Sequence, residues 1–224
     1  MNSPSKRRRI DPDHPDADAI KEAADVIRRG GVALFPTRLL YGLGADAANP
    51  AAVDRIFDIK GRSPDKPILL LIARQDQLRD LVVDVPFSAE MLMERFWPGK
   101  LTLVFRAKPA VYTGLTAGTG KIGVRLCAHP VSAALADAVG GPITGTSANR
   151  SGEPGCGRVS DLNPEMLDAL DLILDAGPLR GGAGSSVVDV TADPPSVLRE
   201  GAVSKREILA TIGQSFGKGI DINR

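Results

Sequence analysis

Lys60, Arg62 and Lys66 lie within the ten residues DIKGRSPDKP, around one glycine and two prolines, in a 224-residue chain whose formal net charge is only +1. Cations on a stiff loop can grip an anion: a guanidinium meets phosphate or carboxylate oxygens in paired hydrogen bonds, and an ammonium adds a point charge. Further polar, glycine-rich segments recur along the chain: FPTRLLYGLG (35–44), FWPGKLT (96–102), KIGVR (121–125), ITGTSANRSG (143–152), GAGSSVVD (182–189) and VLREG (197–201). Taken singly, each has a plain structural use. Ser147 and Asn149 can close a turn, Trp97 can fill a core, and Arg125 can meet a surface acid.

The familiar signatures are missing. GLTAGTGKI (114–122) is the nearest approach to a phosphate-binding P-loop, but its first glycine stands one place too far from the lysine, and Ile122 replaces the hydroxyl residue. GTGKIG (118–123) matches the dinucleotide glycine pattern by letter, yet strand-like VRL follows where a helix is required, so the segment is read as a loop. Cys127 and His129 are two residues apart, His14 lies near the start, and Cys156 has no neighbouring ligand type, so no metal site is expected. A serine hydrolase would need a GxSxG elbow and a triad base; none is present, and His129 before Pro130 reads as structural.

The elements that must position these segments alternate. Ile20, Ala23, Ala24 and Ile27 recur at helical spacing over 16–29 before Gly30 and Gly31, and VALFP (32–36) follows as a strand. Asn49 and Pro50 start a second helix that runs to Gly61. On it Val53, Ile56 and Phe57 make an apolar stripe, and Lys60, seven residues after Val53, falls on that side: it snorkels out at the helix end or points into a cleft beside the core. Strands are expected at ILLLIA, LTLVF, IGVRL, PITG, LILD, SVVDV and SVLR, with helices near 76–83, 88–96, 130–139, 164–170 and 204–212. The pattern predicts an α/β fold, a twisted mixed parallel/antiparallel sheet with flanking helices, whose strand ends offer the ligand site.

Composition sets outer bounds. Apolar residues at 43% and charged residues at 25% are ordinary for a globular chain of this length, expected as one domain over 16–224, while 24 Gly and 17 Pro imply many tight connections. The near-neutral charge excludes a DNA-coating protein, though not a local basic patch. The first fifteen residues, MNSPSKRRRIDPDHP, lack a hydrophobic period and read as a mobile tail. No apolar run approaches the roughly 20 residues that cross a bilayer, and no signal peptide is visible, so a soluble, cytoplasmic protein with two reduced thiols is expected.

Together the segments resemble the YrdC-like threonylcarbamoyl-AMP synthase family. The resemblance runs in order over about residues 20–203: Pro36-Thr37 with Tyr41 to Gly44, Lys60 to Arg62, Pro67-Ile68, Trp97 to Thr102, Ile122 to Arg125, Ser147 to Gly152, Ser185 to Asp189 and Leu198 to Gly201. The chain stops soon after the last of these, which fits the family's short single-domain form. The resemblance implies that L-threonine, bicarbonate and ATP become threonylcarbamoyl-AMP and pyrophosphate, for transfer to a tRNA adenosine by a downstream tRNA threonylcarbamoyl transferase complex. It implies Lys60, Arg62, Ser147 and Asn149 as a polar tetrad around the phosphates, and Lys66, Lys121 and Arg199 on the ATP side. Arg125 and Ser185, with the Gly145 backbone, would hold threonine, and Thr37 and Tyr41 would line its pocket. Mg2+ is expected to accompany ATP, with no ligands assigned.

The chain departs from the family pattern at Leu39, where many members have threonine, at Leu71, where histidine is common, at Ser63 after KGR, and at Gly155-Cys156. Two other readings stand beside the synthase. One is a non-catalytic module of the same fold that binds tRNA or double-stranded RNA through its cations. The other is a paralogue that adenylates a different carbamate.

Overall fold

The computed structural model describes residues 6–216. A short strand, β1 (Arg7–Arg9), precedes α1 (Ala17–Arg28), which Asp16 caps by accepting from the Ala19 N–H, and which buries Ile20, Ala23, Ala24 and Ile27 as their spacing predicts. Strands β2 (Ala33–Pro36) and β3 (Tyr41–Gly44) form an antiparallel hairpin. Helix α2 (Pro50–Lys60) begins where Asn49 accepts from the Ala52 N–H and ends at Gly61, whose φ of 55° favours glycine.

Beyond it come β4 (Leu70–Ile72), the single turn α3 (Leu78–Leu81), α4 (Phe87–Phe96) and β5 (Leu101–Arg106). Next are the single turn α5 (Thr113–Thr116), β6 (Lys121–Leu126), α6 (Pro130–Val139), and the two-residue strands β7 (Ile143–Thr144) and β8 (Thr146–Ser147). The chain continues with α7 (Pro164–Ala169), β9 (Leu172–Asp175), β10 (Ser186–Asp189), β11 (Ser196–Arg199) and α8 (Lys205–Phe216). The helix expected near 76–83 shrinks to a 3-10 turn plus α3. Val82 is drawn out to bridge Ala107, and the Val83 N–H donates to the Arg106 carbonyl at 2.9 Å.

The mixed α/β class expected from the sequence is the one the chain adopts, with its strands divided between two sheets. One has the order β1-β9-β2-β3-β8 and the other β11-β10-β5-β6-β4-β7, and each mixes parallel with antiparallel pairs. The chain passes from the second sheet to the first at Gly145, the one residue between β7 and β8. Among the described residues, no buried side-chain nitrogen or oxygen lacks a hydrogen-bond partner, and no helix is long and apolar enough to cross a membrane.

The expected mobile tail over 1–15 is corrected at its centre. Arg7–Arg9 lie parallel to β9, Ile10 is buried, Arg7 pairs with Asp175, and Arg8 meets both Glu22 oxygens at 2.8 Å. An edge strand of three arginines has no apolar alternation to read, and acids on neighbouring elements hold the side chains of Arg7 and Arg8. Residues 1–5 lie outside the described residues.

Candidate active site

The two sheets diverge around a cleft of about 830 Å³. Its walls are the loop joining β2 to β3, the Gly145–Ser147 crossing, the loop after α2, and the faces of β5, β6, β10 and β11. Six cations line it (Arg38, Arg62, Lys100, Lys121, Arg125 and Arg199), against one carboxylate, Asp189. That carboxylate is committed: Lys121 Nζ donates to Asp189 Oδ2 at 2.8 Å, and the Thr191 N–H and hydroxyl donate to Oδ1. Burial would raise the Asp189 carboxyl, but these donors together hold it below the usual carboxylate range.

Arg125 has no hydrogen-bond or ion-pair partner among the described residues and shows only part of its surface to the cleft. Burial, and after it the positive field of Arg199, pull its pKa down, while the Cys127 thiol acts in the opposite sense. A desolvated guanidinium beside a second cation is costly until an anion arrives. Arg199 itself is anchored, its Nε and Nη2 donating to the Ser185 carbonyl at 3.2 and 2.7 Å. Arg62 is fixed in the same way, through Nε to the Lys66 carbonyl at 3.1 Å and Nη2 to the Pro67 carbonyl at 2.8 Å. This is how the proline-stiffened loop positions its one inward cation.

The residues expected to act together fall into layers. Ser147 and Arg62 stand on the cleft wall. Lys60 lies behind that wall, only 2% exposed, where its ammonium donates to the Ser147 carbonyl and, at 2.7 Å, to the Asn149 carbonyl. Burial, and secondarily Arg62, lower its pKa to about 8. Asn149 bonds the Ser147 hydroxyl through Oδ1 and donates from Nδ2 to the carbonyls of Arg150 and Glu153, so it fixes Ser147 from outside the cleft. Lys66 is exposed on the loop and contributes no part of the lining.

Lys121, Arg125, Gly145, Ser185 and Arg199 all reach the cleft. Ser185 is buried, its hydroxyl 2.8 Å from Thr102 Oγ1. Thr37 lines the cleft but donates its hydroxyl proton to the Leu40 carbonyl at 2.6 Å. Tyr41 packs behind the cleft wall, fully buried, with its hydroxyl spent elsewhere, donating to the Gly177 carbonyl at 2.7 Å and accepting from the Ala176 N–H at 2.9 Å. Leu39 and Leu71 belong to the apolar part of the wall.

Thr102, Cys127 and His129 are lining residues that motif reading did not single out as ligands. The signal for Cys127 was present: Lys121, Gly123 and Arg125 alternate along β6 on its cleft face, and Cys127, one residue past the strand end, keeps the alternation. His129 caps α6, its Nδ1 accepting from the Val131 N–H at 3.2 Å, so its structural reading holds, and its position beside the cleft comes from the turn after β6.

Gly145 is required by close approach. A Cβ there would stand 2.5 Å from Leu71 Cγ, a branch carbon that moves only if the whole side chain turns, and 2.8 Å from Leu69 Cδ1. Gly145→Ala is therefore expected to cost about 1–3 kcal/mol in urea unfolding, the usual penalty of overpacking, and Leu71→Ala in the same chain should return part of it.

A cation-lined cleft between two mixed sheets, with hydroxyls on its walls and one paired acid, defines an α/β protein built to hold small anions. The family model Sua5/YciO/YrdC, described as "Telomere recombination", matches residues 25–201, and the chain belongs to that family. A Pyrococcus abyssi protein named threonylcarbamoyl-AMP synthase is 39% identical over 208 residues, 90% of this chain and 61% of that protein. A Bacillus subtilis protein of the same name is 40% identical over 195 residues, 87% of this chain and 56% of that one. The chain thus spans roughly three fifths of the length of these curated relatives. Among solved structures, that of P. abyssi Sua5 complexed with L-threonine superimposes with a TM-score of 0.88 at 36% identity, covering 97% of this chain and 65% of that one.

Proposed function

We propose that the cleft makes threonylcarbamoyl-AMP and pyrophosphate from L-threonine, bicarbonate and ATP. The observation that carries this is the charge of the wall, six cations against one paired carboxylate. A carbamate oxygen attacking an α-phosphate brings two anions together and releases a third, so the site must supply positive charge and fixed donors rather than a covalent nucleophile. Arg125, unpaired and desolvated, takes the amino-acid carboxylate, with the Thr102/Ser185 hydroxyl pair beside it. Arg62, Lys121, Arg199 and Ser147 face the triphosphate. Lys60 and Asn149 are positioning residues that hold Ser147. Lys66, exposed on the loop, reaches only the outer phosphates.

Mg2+ would be held by the ATP phosphates, because Asp189, the one carboxylate on the wall among the described residues, is already paired with Lys121. The names of the relatives and the threonine complex of the P. abyssi protein support the choice of substrate. The product would pass in the cytoplasm to a tRNA threonylcarbamoyl transferase complex, which transfers it to a tRNA adenosine. The RNA-binding reading draws on the same cleft cations, and it would show as a steep salt dependence of binding with no pyrophosphate release.

The test is pyrophosphate release by purified protein, with the adenylate followed by mass spectrometry. Release is expected only when ATP, bicarbonate and L-threonine are all present. Release that ignores the omission of bicarbonate, or none with the full mixture, would remove the proposal.

A further inference from the structure

We propose that three arginines at the rim of the cleft, Arg38, Arg158 and Arg180, form a docking ridge for an acidic face of the protein that consumes the adenylate. This rests on the reaction proposed above. The three come from segments far apart in sequence, which the fold ties together through backbone. The Gly181 N–H donates to the Leu39 carbonyl at 2.9 Å, the Leu179 N–H to the Gly157 carbonyl at 2.8 Å, and the Tyr41 N–H to the Cys156 carbonyl at 2.9 Å. The Cys156 thiol donates to the Arg158 carbonyl at 2.8 Å, and a Cβ on Gly155 would stand 2.6 Å from Leu40 Cδ1, so the loops are packed on one another.

All three side chains are exposed, and none has a hydrogen-bond or ion-pair partner among the described residues. Over 37–40, 155–158 and 177–184 they are the only charged residues. Elsewhere on the surface Arg28, Arg55, Arg74 and Arg150 each meet a carboxylate. Like charges gathered on fixed loops repel one another, and an opposing acidic surface removes that cost while steering its own approach. Because the fold already holds the loops, docking has little backbone left to order.

The ridge adjoins the cleft. Arg38 lines it, as do Leu39, Leu40, Gly155 and Gly184 from the same three loops, so a partner seated on the ridge stands at the cleft rim. The product there is a mixed anhydride of a carbamic acid and a phosphate. Water attacking it gives AMP and the carbamate, which then loses CO2 to return the amino acid, and transfer to a docked acceptor avoids that loss. The composition favours a protein over RNA as the occupant. No aromatic side chain stands on these loops for a base to stack on, and Leu40, Pro178 and Leu179 lie among arginines with no lysine, a mixture that suits a protein interface.

The experiment pairs the protein with the purified threonylcarbamoyl transferase complex of the same cell and its tRNA, at limiting protein concentration and low salt. Pyrophosphate release is read without the transferase, and tRNA modification with it. Arg158→Ser/Arg180→Ser, which leaves the cleft wall intact, is expected to keep pyrophosphate release and to slow tRNA modification by about tenfold or more, the scale of lost electrostatic steering. Arg158→Lys/Arg180→Lys keeps the charge and should recover most of that rate, and added salt should narrow the gap between serine variant and unaltered protein. Equal tRNA modification by those two at low salt would overturn the inference and leave the synthase reading intact. So would a serine variant that has lost binding to bare tRNA, since the ridge would then belong to RNA. A fall in pyrophosphate release that matches the fall in tRNA modification would make the arginines supports of the fold and overturn the inference as well. No pyrophosphate release from the unaltered protein would overturn the synthase reading and take the inference with it.

Discussion

Lys60→Met is expected to lower kcat/KM for the proposed threonylcarbamoyl-AMP synthesis by about 100-fold or more, although the side chain never touches the cleft. The ammonium holds the carbonyls of Ser147 and Asn149, and Ser151 N–H donates back to the Lys60 carbonyl at 2.8 Å, so the end of α2 and the 147–151 segment are one unit. Methionine fills similar volume but leaves the Asn149 carbonyl unpaired, at about 1–3 kcal/mol, and the Ser147 carbonyl with only the Asn149 N–H, and the segment relaxes to find partners. Ser147 then loses its place, and a misplaced charge-stabilising donor costs about 10²–10³ in rate. Both kcat and the unfolding midpoint should fall. A variant with a wild-type rate and a lowered midpoint would reduce Lys60 to a stability residue.

The pH dependence separates these two roles. The folded pKa of Lys60, about 8, lies below its ordinary value of 10.5, so the native state sheds the proton first. Between those values the unfolded chain binds more protons, and this group's contribution to stability rises with pH. Activity has the opposite sign, since the neutral amine holds the segment less firmly. Turnover should therefore decline above pH 8 while the fold does not loosen on account of Lys60, and the residual activity of Lys60→Met should lack that limb.

How much of this was legible follows from how local each feature is. The cap at Asn49, Pro50 and the left-handed Gly61 are determined within a few residues, so α2 and the placement of Lys60 on its apolar side could be read directly. That Lys60 is buried against backbone, rather than against a ligand, depends on a segment 87 residues away and has no local sign. The ladder Lys121, Gly123, Arg125 and Cys127 carries its cleft face in its alternation. By contrast, β7 answers to the strand expected at PITG, but β8 is two residues long, too short for any period, and the change of sheet at Gly145 between them depends on distant pairing partners. Strand β1 was invisible for a different reason: Arg7 and Arg8 are satisfied by Asp175 and Glu22, partners that no short window around residue 8 contains.

Arg125→Gln is expected to separate function from stability in the other direction. Its guanidinium is desolvated, has no partner among the described residues and lies in the positive field of Arg199, so without substrate its charge destabilises the fold. Glutamine keeps most of the stem and removes the charge, and the thermal midpoint should rise by roughly a few degrees, the shift that about 1 kcal/mol produces in a domain of this size. Removing the partner of a desolvated substrate carboxylate costs about 2–5 kcal/mol, or roughly 30- to 5,000-fold in kcat/KM for the amino acid, while the KM for ATP should change little. Arg125→Lys should recover little, because a point charge does not reproduce the paired donors a carboxylate accepts. Steady-state kinetics with each substrate varied in turn, beside a melting curve, gives both readings. A more stable protein that has lost its amino-acid affinity is the signature of a cation held for a ligand. A less stable protein with normal kinetics would mean that Arg125 supports the sheet, and the carboxylate would have to be placed elsewhere, with Arg199 as the next guanidinium on the wall.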